Sequence, residues 1–236
     1  MRTIGLLGGS FNPIHIGHIR LAVEIMEALK PDRLDLIPCA QAPHKAAKGF
    51  LPFEMRCDLV DLAVKELYGQ QRKDCYQQDT KITKEKCLQV NRLEGQRQGP
   101  SYTWDTLIQY GEKEKDARLF FVLGGEDFCK LSSWYRGLEI PYLTDIVVVP
   151  RDSANLDAFT KTIEKDWPEA KASSPSTWAL PNGNCFIYQP LPRLDISASL
   201  LREKWIKHQD ISFLLPTSVI ECLEQHRQDI EKIWST

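Results

Sequence analysis

The sequence lacks the features of three classes of protein. No apolar run is long enough to span a membrane, and a formal net charge of −2 over 236 residues gives no positive field that would attract nucleic acid. The seven cysteines are an odd number without a C-x-x-C pair, which indicates neither a disulfide framework nor a zinc knuckle. Because the amino terminus also lacks a basic-then-apolar signal region, we expect a protein of the reducing cytoplasm, with no membrane or nucleic-acid partner.

What the sequence does contain is an alternation of short apolar segments with segments of helical periodicity. Hydrophobic residues make up 42% of the chain, which is enough for a full core. The alternation predicts an α/β fold with a doubly wound, Rossmann-like parallel sheet in a single domain that spans 1–236. Within this domain we expect a polar surface insertion at 69–86 and a small C-terminal helical part at 196–236.

The predicted elements follow from the same periodicity. Strands are expected at residues 4–7, 33–38, 88–93, 119–123, 145–149 and 185–188. Helices are expected at residues 19–29, 53–67 and 104–110, from residue 197 onward, and at 216–230. Either Ser101 or Thr103 could cap the third helix. Residues 152–184 contain turn material and no clear period.

The first eighteen residues carry the strongest functional pattern. Two glycines follow the first predicted strand, where they allow a tight turn and the close approach of a phosphate to the main chain. His15 and His18 then stand at the start of a helix, three residues apart and on one face. The free amides and positive dipole of a helix start favour an anion. A zinc pair is the alternative, but no further ligands follow at suitable spacing.

The run Gly-Gly-Ser-Phe-Asn-Pro-x-His-x-Gly-His resembles the signature of nucleotidyltransferases that carry an HxGH motif. Members of that superfamily bind ATP or CTP through this motif and stabilise the reacting phosphates. The resemblance therefore implies a nucleotidyltransferase-type sheet and an ATP site. Its first part is formed by Gly8, Gly9, Ser10, Phe11, His15, Gly17 and His18.

Two later segments resemble other phosphate-binding motifs of the superfamily. Residues 195–202 are similar to a motif that closes the ATP site, which implies ATP contacts from Ile196, Ser197 and Arg202. A loop that contains His44 and Lys45 is similar to a PPHK loop, which implies a phosphate contact from Lys45. The alternatives from residue chemistry alone are a solvated lysine and a serine-capped helix with a surface arginine.

The remaining motifs resemble the nicotinate-mononucleotide adenylyltransferase family in particular. Pro-Ser-Tyr-Thr implies that main-chain amides near Thr103 recognise the pyridine carboxylate. Gly-x-Asp followed by Ser-Trp-Tyr implies a ribose contact from Asp127 and stacking of Trp134 on the pyridine ring, although a packing role is the alternative for a single tryptophan. The implied mononucleotide site contains Gly9, Ser10, His44, Lys45, Tyr102, Thr103, Trp104, Asp127, Trp134 and Tyr135, and the ATP site also takes in Gly125 and Asp127.

The resemblance implies transfer of the adenylyl group of ATP to nicotinate mononucleotide, a step of NAD biosynthesis. His15, His18, Lys45 and Arg202 are the expected catalytic residues. Mg²⁺ would be carried by the ATP phosphates rather than by a protein metal site, and the chain is expected to be a monomer or homodimer. Two alternatives stay open, namely an adenylyltransferase for nicotinamide mononucleotide or phosphopantetheine, and a non-catalytic nucleotide sensor. Arg56 is open as well, since it could face the site or pair with Asp58 or Asp61.

Overall fold

The computed structural model describes residues 1–43, 48–71, 88–150, 155–192, 194 and 196–235. They divide into two compact units. The first unit contains Met1–Gly8 and Ser101–Arg193, and the second contains Gly9–Pro100 and Leu194–Thr236.

The described residues contain eight strands and eight α-helices. The strands are β1 (Arg2–Gly9), β2 (Arg33–Pro38), β3 (Leu88–Val90), β4 (Ala117–Gly124), β5 (Asp145–Val149), β6 (Lys171–Ser174), β7 (Thr177–Ala179) and β8 (Cys185–Tyr188). The helices are α1 (Ile16–Leu29), α2 (Phe53–Gln71), α3 (Thr103–Lys113), α4 (Gly125–Cys129), α5 (Leu156–Asp166), α6 (Ala198–Ile206), α7 (Thr217–Gln225) and α8 (Arg227–Trp234). Short 3₁₀ helices cover Leu93–Gln96, Leu131–Ser133 and Gly137–Tyr142.

The first unit is built on a mostly parallel sheet. β1 pairs with β4, β4 with β5 and β5 with β8, all in parallel, and the antiparallel strands β7 and β6 extend the edge beyond β8. All five residues of β5 are buried, as are the five residues of β4 from Leu119 to Leu123. Strands covered on both faces read as continuous apolar runs, which is why sequence periodicity locates them well.

An aromatic cluster forms the core on one side of this sheet. The ring of Phe128, which is fully buried, lies 5.4 Å from that of Phe159, 6.0 Å from that of Trp167 and 5.8 Å from that of Phe186. The indole nitrogen of Trp167 donates to the carbonyl of Leu138 at 3.0 Å, so its one polar atom is satisfied inside the core. The cluster fixes α4, which begins directly after β4, against the sheet.

The second unit contains the parallel pair β2 and β3 and the helices α1, α2, α6, α7 and α8. The amide of Cys39 donates to the carbonyl of Gly9 at 2.9 Å, which joins the segment after β2 to the end of β1. Lys30 ends α1 in the left-handed conformation, with φ of 48°, one residue before Pro31. The carboxylate of Glu66 on α2 accepts the amides of Thr217 and Ser218 at 3.1 and 2.7 Å and so caps α7.

The predicted α/β class with a mostly parallel sheet is confirmed, whereas several local predictions are wrong. The expected single helix at 216–230 is two helices, α7 and α8, separated at His226. The stretch 152–184, for which the sequence predicts turn material and no defined element, contains α5 and the hairpin β6–β7. Neither Ser101 nor Thr103 caps α3, because Tyr102 occupies the N-cap position.

Two further boundaries differ from the predictions. Strand β3 ends at Val90, and the 3₁₀ helix Leu93–Gln96 takes up the end of the stretch predicted as strand. Helix α2 continues to Gln71, so the start of the predicted insertion at 69–86 is helical, and its remainder lies outside the described residues. No described helix is both long and apolar enough to cross a membrane.

Candidate active site

His15 and His18 form a stacked pair at the start of α1. His15 is the N-cap residue, and its ring lies 3.6 Å from the ring of His18 at an interplanar angle of 24°. The main-chain amide of His15 donates to Nδ1 of His18 at 3.3 Å. Because Nδ1 accepts a hydrogen bond, a neutral His18 carries its proton on Nε2. This nitrogen can therefore donate a hydrogen bond to a ligand.

Gly17 makes this pairing possible. A Cβ at Gly17 would stand 3.0 Å from Nδ1 of His15 and 3.7 Å from Cβ of Ile196. A side chain there would therefore press on the buried His15 ring. The rings of Phe11 and His18 meet edge to face, with their centroids 5.0 Å apart. Phe11 itself is buried and has a positive φ of 43°.

Arg202 reaches the loop between β1 and α1 from α6. One guanidinium nitrogen donates to the carbonyl of Asn12 at 2.8 Å, and another donates to the hydroxyl of Ser199 at 3.1 Å. Burial lowers the pKa of Arg202 from its ordinary value, although the group stays cationic at neutral pH. Ser197 caps α6 as predicted, since its hydroxyl accepts the amide of Leu200 at 3.2 Å. The structure thus brings Arg202 to the loop that leads into the histidine pair.

Asn12 is the centre of that loop, and the sequence identifies it only as a turn residue. It is 1% exposed. Its side-chain nitrogen donates to the carbonyl of Gly49 at 2.8 Å, and its side-chain oxygen accepts the amide of Leu51 at 3.0 Å. Together with its main-chain contact to Arg202, Asn12 ties three separate segments of the second unit together.

Of the two arrangements considered from sequence, the pairing of Arg56 with Asp58 or Asp61 is wrong. Its guanidinium donates to main-chain carbonyls, including that of Ser10 at 2.8 Å. Asp58 and Asp61 pair instead with Arg92, which also contacts Glu54. A signal for burial was present, because Arg56 precedes the buried residues Val60 and Ala63 by four and seven positions and so shares their helix face.

The residues predicted to contact the pyridine ring and ribose lie in the first unit. Tyr102 precedes α3, and Thr103 and Trp104 are its first two residues, so their amides belong to the unsatisfied set at a helix start. Gly125 is buried at the start of α4, directly after β4, and Asp127 is exposed two residues later. Carboxyl ends of parallel strands are where α/β sheets bind ligands.

An aromatic assembly flanks the start of α3. The ring of Tyr135 lies 4.5 Å from that of Tyr102 and meets that of Trp104 edge-on at 6.3 Å. The guanidinium of Arg136 lies over the ring of Trp104, 3.8 Å from the ring centroid. Trp134 is half-buried and makes no ring contact with another described aromatic residue. Gly137 keeps this turn compact, because a Cβ there would stand 1.7 Å from the carbonyl oxygen of Leu131.

Other predicted residues are placed as follows. Gly8 and Gly9 end β1, and Ile196 precedes the cap of α6. His44 and Lys45 lie outside the described residues. Among the residues that the structure covers, no group of three or more His, Cys, Asp or Glu side chains could hold a metal ion. Among the described cysteines, Cys57, Cys129, Cys185 and Cys222 are free thiols.

The fold and the histidine motif define a class of nucleotidyltransferase, and comparison with known proteins agrees. Residues 6–204 match the model of the cytidylyltransferase-like family, to which the chain belongs. Within it, the chain is 30% identical over 231 residues to a probable nicotinate-nucleotide adenylyltransferase of Maridesulfovibrio salexigens, covering 98% of this chain and 99% of that protein. A relative of the same name from Marinomonas sp. is 33% identical over 95% of this chain and 93% of its own length. The chain is therefore a member of the nicotinate-nucleotide adenylyltransferase family.

A solved structure shares the fold. Plasmodium falciparum nicotinic acid mononucleotide adenylyltransferase, complexed with NaAD, superimposes with a TM-score of 0.69. The alignment covers 96% of this chain and 97% of that one at 19% sequence identity. At this identity the likeness establishes the common architecture, including the mostly parallel sheet.

Proposed function

We propose that this protein transfers the adenylyl group of ATP to nicotinate mononucleotide, which yields nicotinate adenine dinucleotide and pyrophosphate in NAD biosynthesis. The observation that carries the proposal is the stacked histidine pair at the start of α1, together with Arg202 on the adjoining loop. The mononucleotide phosphate is the nucleophile and attacks the α-phosphorus of ATP. Catalysis then consists of positioning and of stabilising charge in the transition state.

The residues that we assign to the phosphates and the ATP site have distinct parts in this scheme. His15 and His18 hold the α- and β-phosphates, with Nε2–H of His18 directed at charge that develops in the transition state. Arg202 and Lys45 stabilise the departing pyrophosphate. Gly8, Gly9, Ser10, Phe11, Gly17, Ile196 and Ser197 complete the ATP site through main-chain donors and close backbone approach.

Residues of the first unit recognise the pyridine ring and a ribose. Amides near Thr103 and Tyr135 satisfy the two oxygens of the nicotinate carboxylate, and Trp134 stacks on the ring. Asp127 accepts hydrogen bonds from a ribose, and Gly125 allows close approach of the ligand. An amide in place of the carboxylate would direct an NH₂ donor at a main-chain donor, at a cost of about 1–3 kcal/mol.

The side chains proposed to hold the nucleotide are two imidazoles and an arginine, which can donate to phosphate oxygens, and among the described residues no group of three or more His, Cys, Asp or Glu side chains could hold a metal ion. We therefore assign Mg²⁺ to the ATP phosphates, where it neutralises charge, and assign it no dedicated carboxylate ligands. We further propose that the enzyme is cytoplasmic, that it is a monomer or a homodimer, and that it acts without nucleic acid or membrane.

Pyrophosphate release from ATP tests the proposal directly. Nicotinate mononucleotide, nicotinamide mononucleotide and phosphopantetheine are compared as acceptors at equal concentration, with ATP alone as the blank. We expect kcat/KM for nicotinate mononucleotide to exceed that for the amide by at least about tenfold, which corresponds to roughly 1.4 kcal/mol. Equal efficiencies would indicate a dual-specificity enzyme. Release with phosphopantetheine only would identify a different adenylyltransferase, and no release with any acceptor would favour a nucleotide sensor.

A further inference from the structure

Arg56 is a buried cation whose surroundings are almost entirely main-chain carbonyls. The residue is 2% exposed, and its guanidinium lies 5.7 Å from the ring centroids of both Phe50 and Phe53. All four hydrogen bonds that it forms with described residues end on carbonyl oxygens, those of Leu51 at 3.0 Å, Ser10 at 2.8 Å, Cys39 at 2.7 Å and Ala40 at 3.3 Å. Burial lowers its pKa, and the nearby carboxylate of Glu94 acts in the opposite direction.

The four carbonyls belong to three different segments of the second unit. Ser10 lies in the loop between β1 and the histidine pair, Cys39 and Ala40 follow β2, and Leu51 precedes α2. Asn12 reinforces the same arrangement through the carbonyl of Gly49 and the amide of Leu51. A desolvated cation is costly unless its donors are paired, and four of the five N–H groups of Arg56 are paired with these carbonyls. The cost of burying Arg56 is therefore offset only while these segments keep their present spacing.

We propose that Arg56 is a positioning residue for adenylyl transfer, which holds the Ser10 loop and the segment after β2 at the separation that in-line reaction requires. This inference rests on the function proposed above, because the Ser10 loop leads directly to His15 and His18. Arg56 does not itself touch the substrate in this role. It acts through main-chain atoms, which explains why its donors are spent on carbonyls rather than directed at a ligand.

The geometry of arginine is suited to this task and that of lysine is not. A guanidinium presents five donors in a planar fork and can bond several segments at once, whereas an ammonium is a point charge with three donors. Arg56→Lys therefore keeps the charge and most of the volume but loses part of the bridging. A small misplacement of reacting groups costs up to about 10²-fold in rate.

The test compares Arg56→Lys and Arg56→Gln with Arg92→Gln as the matched control. Arg92 also contacts α2, through the carboxylates of Glu54, Asp58 and Asp61, but its partners are far along the chain from the Ser10 loop. Folded fraction is measured by circular dichroism under assay conditions, and each kcat is divided by it. Partial unfolding then does not register as lost catalysis, even where Arg56→Gln folds poorly.

We expect kcat per folded molecule to fall about 10- to 100-fold in Arg56→Lys, with KM for ATP changed by less than about threefold, and to stay near the wild-type value in Arg92→Gln. A kcat for Arg56→Lys within about twofold of wild type, or an equal fall in Arg92→Gln, would overturn the positioning role. If another mononucleotide proves to be the acceptor, the same comparison is made with that acceptor, which separates a wrong substrate from a wrong role for Arg56. A wild-type protein without turnover on any acceptor would overturn both proposals.

Discussion

The two ring nitrogens of His18 have separate tasks. Nδ1 accepts a hydrogen bond from the main-chain amide of His15 and so helps to begin α1, while Nε2 is the nitrogen that we propose donates to phosphate. Asparagine places an oxygen near the position of Nδ1, and glutamine places an NH₂ group near that of Nε2. The two substitutions therefore separate the structural contact of this residue from its contact with the ligand.

We expect His18→Asn to retain thermal stability but to lower kcat by about 10²–10³-fold, the usual cost of a lost transition-state donor. His18→Gln should show the opposite balance, with a lower melting temperature and a smaller loss of kcat. Steady-state kinetics and thermal unfolding of both variants decide the question. The exposed His208, changed to Asn, is the control for an unrelated histidine. Normal turnover in His18→Asn would remove the Nε2 donor from the mechanism.

How far single residues could be predicted depends on what they contact. The sequence indicates His15 and His18 because both side chains stand at fixed offsets from two glycines and a helix start. It gives Arg56 two alternatives, of which the pairing with Asp58 or Asp61 is wrong, because the partners of Arg56 are carbonyls that every residue type carries. The contacts of Asn12 could not be predicted for the same reason, since Gly49, Leu51 and Arg202 come together only in the folded chain.

At the scale of elements, the start of α7 depends on a carboxylate from another helix. Pro216 at its N-cap position offers no side-chain cap, and Glu66 of α2 accepts the amides of Thr217 and Ser218 instead. Burial disfavours the charged form of Glu66, but the hydrogen bonds from Ser218 and Thr217 outweigh it, and the pKa is lowered. Ionised Glu66 thus joins α2 to α7.

Glu66→Gln should destabilise the fold by about 1–2 kcal/mol at neutral pH, since the amide keeps one acceptor and loses the charge. A carboxyl group with a lowered folded pKa contributes its full stability above its ordinary pKa and loses it as the pH falls through the lowered value. The difference between wild type and variant should therefore shrink in acid. Urea unfolding at neutral and acid pH measures it, with Glu221→Gln on α7 as the control. A constant difference across this range would contradict the capping role.

Element boundaries were predictable where a local signal ends the element. Pro31 and the apolar runs of β2, β5 and β8 give correct or nearly correct limits. The division of residues 216–230 at His226 was not predictable from periodicity, because apolar residues continue on both sides of the break and packing against other helices determines it. Helix α5 was missed although Phe159 and Ile163 are four residues apart, because the turn residues that surround it dominated the pattern.

At the scale of the whole molecule, the residues proposed to hold the triphosphate and those proposed to bind the pyridine ring belong to different units. Arg202 and the histidine pair are in the second unit, and Trp134 and Tyr135 are in the first. Arg202→Ala should weaken ATP binding by about 1.5–3 kcal/mol and leave mononucleotide binding largely unchanged. Trp134→Ala should raise KM for the mononucleotide roughly tenfold and leave ATP affinity unchanged.

Calorimetry measures the ATP affinity of both variants, and initial rates at varied mononucleotide concentration measure KM for the mononucleotide in both. Each variant is the control for the other. Loss of affinity for both substrates in both variants would contradict the division.

The class of fold was predictable at this scale because strand and helix alternate throughout. The antiparallel hairpin at the sheet edge was not, since β6 and β7 are short and largely exposed.

The contact between Arg202 and Asn12 also has a consequence for how the protein is made. The two residues are 190 positions apart, and the carbonyl of Leu214, later still, accepts the amide of Ile16 at 3.0 Å. The ribosome therefore produces the histidine motif long before Arg202 and Leu214, which contact the neighbouring residues Asn12 and Ile16. During synthesis the loop at Asn12 cannot form its contact with Arg202 until 190 further residues have been translated, so a nascent chain completes the proposed ATP site late.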